Sequence, residues 1–209
     1  VKHNHTALRT GIGLRAFKGG AVIVGLSVDH GQPRWLCSTT LPTHNEGDPL
    51  SLAPYGSAAV MKGMPLAEIA ATVAEGRRRQ DQIAERALRG IIAQLTASGH
   101  PPVVAALLVN RAGWVTNLLE YSLAWPDHVP VAEGLAVRDA LRFAIRRCDL
   151  AITEVDEKSL PDLAGQTLGL SPAGIDAALK LMGTAAGKPW RKEQKLACLS
   201  VWIAITTHT

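Results

Sequence analysis

Aromatic residues are scarce in this 209-residue chain: five Trp, two Tyr and two Phe, or 4%. Its core must therefore come from aliphatic side chains and alanine, which the 47% apolar fraction supplies. Cysteine is sparse as well. Cys37, Cys148 and Cys198 are odd in number and far apart, with no CxxC pair, which argues against a disulfide framework and a zinc knuckle. Reduced thiols in a cytoplasmic protein are the simple reading. No apolar run reaches the roughly 18 residues that a membrane span needs. The polar start, Val1-Lys2-His3-Asn4-His5, has no signal-peptide core. Neither sign of charge dominates: 22 Lys and Arg against 18 Asp and Glu leave a net +4. That balance permits a polyanionic partner without requiring one.

What is present reads as one α/β domain over residues 1–209. Residues 103–109 and 150–155 are apolar runs separated by helix-forming sequence, the pattern of a βαβ unit with two parallel strands. Upstream, Val22, Val24, Leu26 and Val28 alternate at the strand period, and Asp29-His30-Gly31-Gln32-Pro33 supplies a turn. Residues 21–29 and 33–41 are thus expected to form an antiparallel hairpin, with a short third strand at 58–61. Residues 65–98 have helical periodicity, ended by Ser98-Gly99 and Pro101-Pro102. A short helix is expected from Trp114 to Ala124, and a crossover helix from near Glu133 to Arg147. Ser171-Pro172 opens a helix that Gly183 is expected to end. The last helix starts near Pro189, and its apolar half, 196–205, should lie across the sheet.

Several motifs are discounted. Gly11-Ile12-Gly13-Leu14-Arg15-Ala16 fits a loose dinucleotide pattern, but no strand precedes it, so residues 1–20 read as a loop or short edge strand. Gly183 to Pro189 fails as a phosphate loop on spacing and on the Pro that replaces Ser or Thr. His3 and His5 read as solvated terminal residues, and Arg77-Arg78-Arg79 as a charged helix face.

The order strand, strand, short strand, long helix, strand, helix, strand, helices resembles that of the ribonuclease H-like fold, used by resolvase nucleases and actin-type domains. The resemblance implies a mixed sheet with an N-terminal antiparallel hairpin, a parallel βαβ core and C-terminal helices. Val28-Asp29-His30-Gly31 is similar to the hydrophobic-Asp-x-Gly start of the resolvase-type members, whose Asp binds metal. With residues 21–29 taken as the first strand, Asp29 is expected at the carboxyl edge of the parallel strands. Glu133 and Glu193, near helix starts, are expected there too, and Asp156 and Glu157 end the last strand on that edge. The resemblance implies that Asp29, Glu133 and Glu193 hold Mg²⁺ or Mn²⁺, which polarise a phosphate and activate water. Where the family carries an acid after the fourth strand, this chain has Asn110.

Three functions follow. The first is a metal-dependent nuclease or related phosphoryl-transfer enzyme. Lys195 and the ridge Arg138, Arg142 and Arg146, spaced i, i+4, i+8, would contact phosphates. The second is a non-catalytic module of the same fold that binds nucleic acid or protein. The third is a small-molecule enzyme with its site at the same edge. Clustered carboxylates would favour the first, separately salt-bridged acids the second, and an enclosed pocket lined by Trp114, Trp190 or His30 the third.

Overall fold

The structure, a computed structural model, describes residues 8–61, 63–110 and 115–208. Five strands form one sheet: β1 (Arg9–Phe17), β2 (Gly20–Asp29), β3 (Gln32–Pro42), β4 (Pro102–Val109) and β5 (Ala151–Asp156). Their order is β3-β2-β1-β4-β5. β2 runs antiparallel to both β1 and β3, whereas β4 runs parallel to both β1 and β5. The mixed α/β sheet, its directions and the C-terminal helices are those the ribonuclease H-like resemblance implies.

The first strand is a correction. Residues 9–17, read from sequence as a loop or edge, form the central strand, and 21–29 is the second strand. Ile12 and Leu14 are completely buried on one face of β1. On its other face, glycine at position 13 is obligatory, because a Cβ there would sit 1.9 Å from the carbonyl oxygen of Ala197. That contact brings a helix backbone directly against the strand. The third strand expected at 58–61 is also corrected. This stretch is the end of a helix and a turn, because a four-residue apolar run carries no period that separates strand from helix.

Helices cover both faces. α1 (Pro49–Leu52) and α2 (Pro54–Ala59) lead into the long α3 (Leu66–Ala97). α4 (Leu118–Ala124) and a 3-10 turn (Pro126–His128) precede the crossover helix α5 (Val129–Arg147). α6 (Leu160–Leu168), α7 (Pro172–Ala186) and α8 (Lys192–Thr207) complete the chain. α3 and α5 pack on the face of Ile12 and Leu14, and α8 with α6 and α7 packs on the other. Residues 197–205 of α8 are all buried, as their continuous apolar character requires, with the sheet on one side and α6 and α7 outside. Gly183 does not end α7; it lies inside, where a Cβ would meet the Trp190 ring at 2.3 Å, and Gly187, at φ 72°, closes the helix. Among the described residues no helix is long and apolar enough to cross a membrane. His3, His5 and Trp114 lie outside the described residues.

Candidate functional site at the carboxyl edge of the parallel strands

α8 runs back along β1, and the pairing of the two elements sets the site. Gly11 lies against Val201 and Ile205, and Gly13 against Ala197. At the other end, Arg9 donates to the carbonyl of His208. Side chains alternate along a strand, so Arg15 follows Gly11 and Gly13 onto the α8 face, at the carboxyl edge. There it meets the first turn of α8 and the residue that follows β5. Its Nε and Nη2 each donate to Glu157, both at 3.1 Å, and Nη1 lies 3.9 Å from Glu193. Arg15 and Glu157 are each 24% exposed, so this two-pronged ion pair is held more firmly than a surface one.

The residues singled out from sequence divide between this edge and other places. Glu193 is at the edge, 40% exposed, beside Arg15. Lys195 is exposed one turn into α8. Glu133 lies on the opposite face of the sheet, in α5. Its Oε1 accepts the N–H of Gly56 at 2.7 Å. α2 starts on Ala53, which has no side-chain acceptor, and Pro54, which has no N–H to give. Glu133 therefore supplies, from 77 residues away, the acceptor that the start of α2 lacks. Burial raises its pKa, an effect the N–H groups of Gly56 and Tyr55 and the charge of Lys18 partly offset.

Asp29 is at the other end of the sheet. It ends β2, and β2 runs against β1, with Val28 opposite Arg9. About seven residues of strand separate it from the level of Arg15, or about 20 Å. Its side chain is 60% exposed and faces His30 at 3.5 Å. The expected meeting of Asp29, Glu133 and Glu193 does not occur: one is at the far edge and the other two are on opposite faces.

The basic ridge is present on α5 but divided. Arg142 is neutralised, with Nε and Nη2 on Glu154 at 2.5 and 3.1 Å and Nη1 on Asp139 at 2.9 Å. Arg146 is exposed. Arg138 donates from Nη1 to Gly134 O at 3.2 Å, and its buried Nε has no hydrogen-bond partner among the described residues. Burial lowers its pKa, as does the charge of Arg142; Glu157 opposes this and Arg15 adds to it. The three consecutive arginines of α3 form ion pairs: Arg77 with Asp139, Arg78 with Glu75, and Arg79 with Glu75 and Asp48.

A divalent-metal centre of the kind the resemblance implies does not fit these donors. β1, the central strand, contributes no acid, and Asn110 follows β4. Both oxygens of Glu157 face Arg15. Among the described residues no three His, Cys, Asp or Glu side chains come together as a metal-binding group. The guanidinium of Arg15 is the cation on which Glu157 and Glu193 converge. Sequence reasoning placed both glutamates at this edge but passed over Arg15. The alternation of Ile12, Leu14 and Ala16 could have revealed its strand.

No family model matches the chain, and no curated protein matches it. Among solved structures, the chain is similar to Thermus thermophilus RuvC in complex with a Holliday junction substrate. Identity is 9% and TM-score 0.49, covering 94% of this chain and 93% of that one. A second structure of Thermus thermophilus RuvC matches at 9% identity and TM-score 0.48, with the same coverage.

Proposed function

We propose that this chain is a non-catalytic nucleic-acid-binding module built on the ribonuclease H-like fold. The observation that carries this reading is the Arg15–Glu157 pair with Glu193 beside it. An internal cation there neutralises the carboxylates, and both oxygens of Glu157 are engaged with Arg15 and so are not free for a metal ion. The acids of this edge are ion-paired with an arginine, and Asp29 and Glu133 stand apart from them, which is the arrangement expected of a binding module.

The same end of the fold carries cations available to a polyanion. Lys188, Arg191, Lys192 and Lys195 lie within eight residues at the start of α8, and all four are exposed. None forms an ion pair among the described residues, whereas Glu193 is the only acid in that stretch. Contacts of this type go to phosphates and position the backbone without reading sequence. Lys195 acts here as a phosphate contact, and Arg138 adds a guanidinium that forms no ion pair among the described residues.

The test is binding of a labelled 20-base-pair duplex across a salt series, with cleavage followed in Mn²⁺. Affinity is expected to fall steeply with salt, and changing the four basic residues to Ala should lower the log–log slope by about 0.9 for each phosphate that is no longer neutralised. No cleavage is expected. Metal-dependent cleavage abolished by Glu157→Gln would return the chain to the nuclease reading, and failure to retain the duplex at low salt would remove nucleic acid as the partner.

A further inference from the structure

β3 ends the sheet on one side. It pairs with β2 from Gln32 to Pro42, and among the described residues no strand lies beyond it. Among those residues, too, no turn, loop or cap hydrogen bond reaches the backbone of residues 33–41. Edge strands are commonly blunted by Pro, Lys or a bulge. β3 is protected in this way in its first half alone, by Pro33 and by a bulge at Leu36, where Trp35 stands opposite Leu26 and Cys37 opposite Gly25. From Cys37 to Leu41 the register is regular, and the stretch holds no Pro and no charge. A groove of about 850 Å³ runs along this edge, with residues 33–39 as its floor. Successive strand residues point to opposite faces, so a groove that touches every one of them follows the edge and not a face.

The walls are accessible and differ in character. On the α7 side stand Leu181, 73% exposed, and Ala185, also exposed. On the α3 side stand Gln94 and Ser98, both exposed. Arg34, exposed as well, is the cation of a lining that includes no acid. We propose that this edge takes an extended peptide segment of another protein, added to β3 as a further strand. Its unpaired N–H and C=O groups recur at strand spacing, which an extended peptide backbone matches and a phosphate backbone does not. α3 and α7 stand on either side of the strand, so the groove admits a single chain more readily than the edge of a second folded copy. Pairing is antiparallel, the more stable ladder. Apolar side chains of the segment then lie on Leu181 and Ala185, small polar ones on Gln94 and Ser98, and an acid at its carboxyl end meets Arg34. The partner is a strand-forming segment that alternates apolar and hydroxyl residues ahead of an acid.

The test uses the whole chain and an amidated hexapeptide that alternates Thr and Val, ends in Asp and carries fluorescein at its amino end. Fluorescence polarisation should show saturable binding with a Kd of about 100 µM or tighter. In a ladder, alternate residues turn their N–H toward the partner. N-methylation of one alternate set should weaken binding by about tenfold or more, and that of the other set should leave it within about twofold. Arg34→Glu should weaken binding about threefold, and a peptide ending in Lys should recover the loss. Bound peptide should also slow alkylation of Cys37, which lies in the groove, and leave that of Cys148 unchanged. No saturable binding, or equal effects of the two methylated sets, overturns the proposal. Protection of Cys37 by rising protein concentration alone would make a second copy the occupant, and protection by the duplex would make it nucleic acid; either result overturns the proposal as well.

Discussion

The two ends of the sheet are built differently. At the end where β1 begins, Asp29 and His30 stand on an exposed turn and face each other at 3.5 Å, with no other ion pair among the described residues. At the end where β1, β4 and β5 finish, Arg15, Glu157 and Glu193 converge from a strand, a strand end and a helix start. Arg138 stands close enough for its charge to be felt. Both ends carry acids; only one supports them. Elements that start or stop at the same edge bring side chains from distant sequence positions together, while a hairpin turn brings together only neighbours in sequence. Chemistry is therefore to be sought where strand directions agree, and the acid on the turn is a solvated turn residue.

The strongest way to break this comparison is to disturb the contact between β1 and α8. Gly13→Ala places a Cβ 1.9 Å from a backbone oxygen that cannot move without shifting α8. It should cost about 3 kcal/mol, measured by denaturant unfolding. The same change at the opposite end, Gly31→Ala, meets no atoms but must hold φ near 79°, and should cost about 1 kcal/mol. Equal costs would mean that β1 is not packed as described.

The next effect separates the two acidic ends. Arg15→Gln leaves Glu157 half-enclosed without its partner and should cost about 1–2 kcal/mol, less than a fully buried pair because both groups retain some solvent. Asp29→Asn should stay within about 0.5 kcal/mol, as for an ordinary surface change. A double-mutant cycle between Arg15→Gln and Glu157→Gln should show favourable coupling, and a coupling of zero would remove the ion pair from the account.

Smaller effects appear in the pH dependence. Burial raises the pKa of Glu133 above the usual glutamate range. A raised carboxyl gives its full stability below the unfolded value and loses it as pH rises through the folded one. The native chain should therefore lose stability relative to Glu133→Gln as pH rises through the acidic range towards neutrality. Glu75 shows the reverse sign. Hydrogen bonds from Arg78 and Arg79 hold it down at about 2. Its contribution is present above the ordinary glutamate range and lost as pH falls towards about 2. Because Glu75 is on the surface, Glu75→Gln should produce the smallest change of the set, and one that salt reduces further. A larger acid-range effect for Glu75→Gln than for Glu133→Gln would contradict the relative burial of the two groups.

Much of the architecture was legible from sequence because it is local. Alternation gave β2 and the turn at 29–33 gave its hairpin; helical periodicity gave α3 to within a residue at each end. The two parallel strands were visible as short apolar runs. β1 was hidden because Gly11 and Gly13 leave gaps on the α8 face and basic residues surround them, leaving only Ile12, Leu14 and Ala16 to carry the period. Missing that strand shifted the numbering by one, and a one-strand shift in an antiparallel pair sends a residue to the opposite edge. Asp29 was misplaced for that reason alone. Glu133 was placed near a helix start, but the helix it serves is another one, 77 residues earlier. No spacing rule reveals a partner that only tertiary packing brings near. Glu193 and Glu157 were set at the right edge because strand and helix ends follow from topology. The cation between them was not foreseen, because arginine on a strand reads as a surface residue until α8 covers that face.

The proposed non-catalytic module rests on Arg15 as the cation between Glu157 and Glu193. The most direct measurement is the melting temperature with and without Mn²⁺, for the native chain and for Arg15→Asp. The native chain should show no metal-induced shift. Arg15→Asp removes the internal cation, sets a third carboxylate beside Glu157 and Glu193, and should gain a rise of several degrees in Mn²⁺ through linkage of binding to folding. A Mn²⁺-dependent rise in the native chain that Arg15→Asp does not increase would contradict the account.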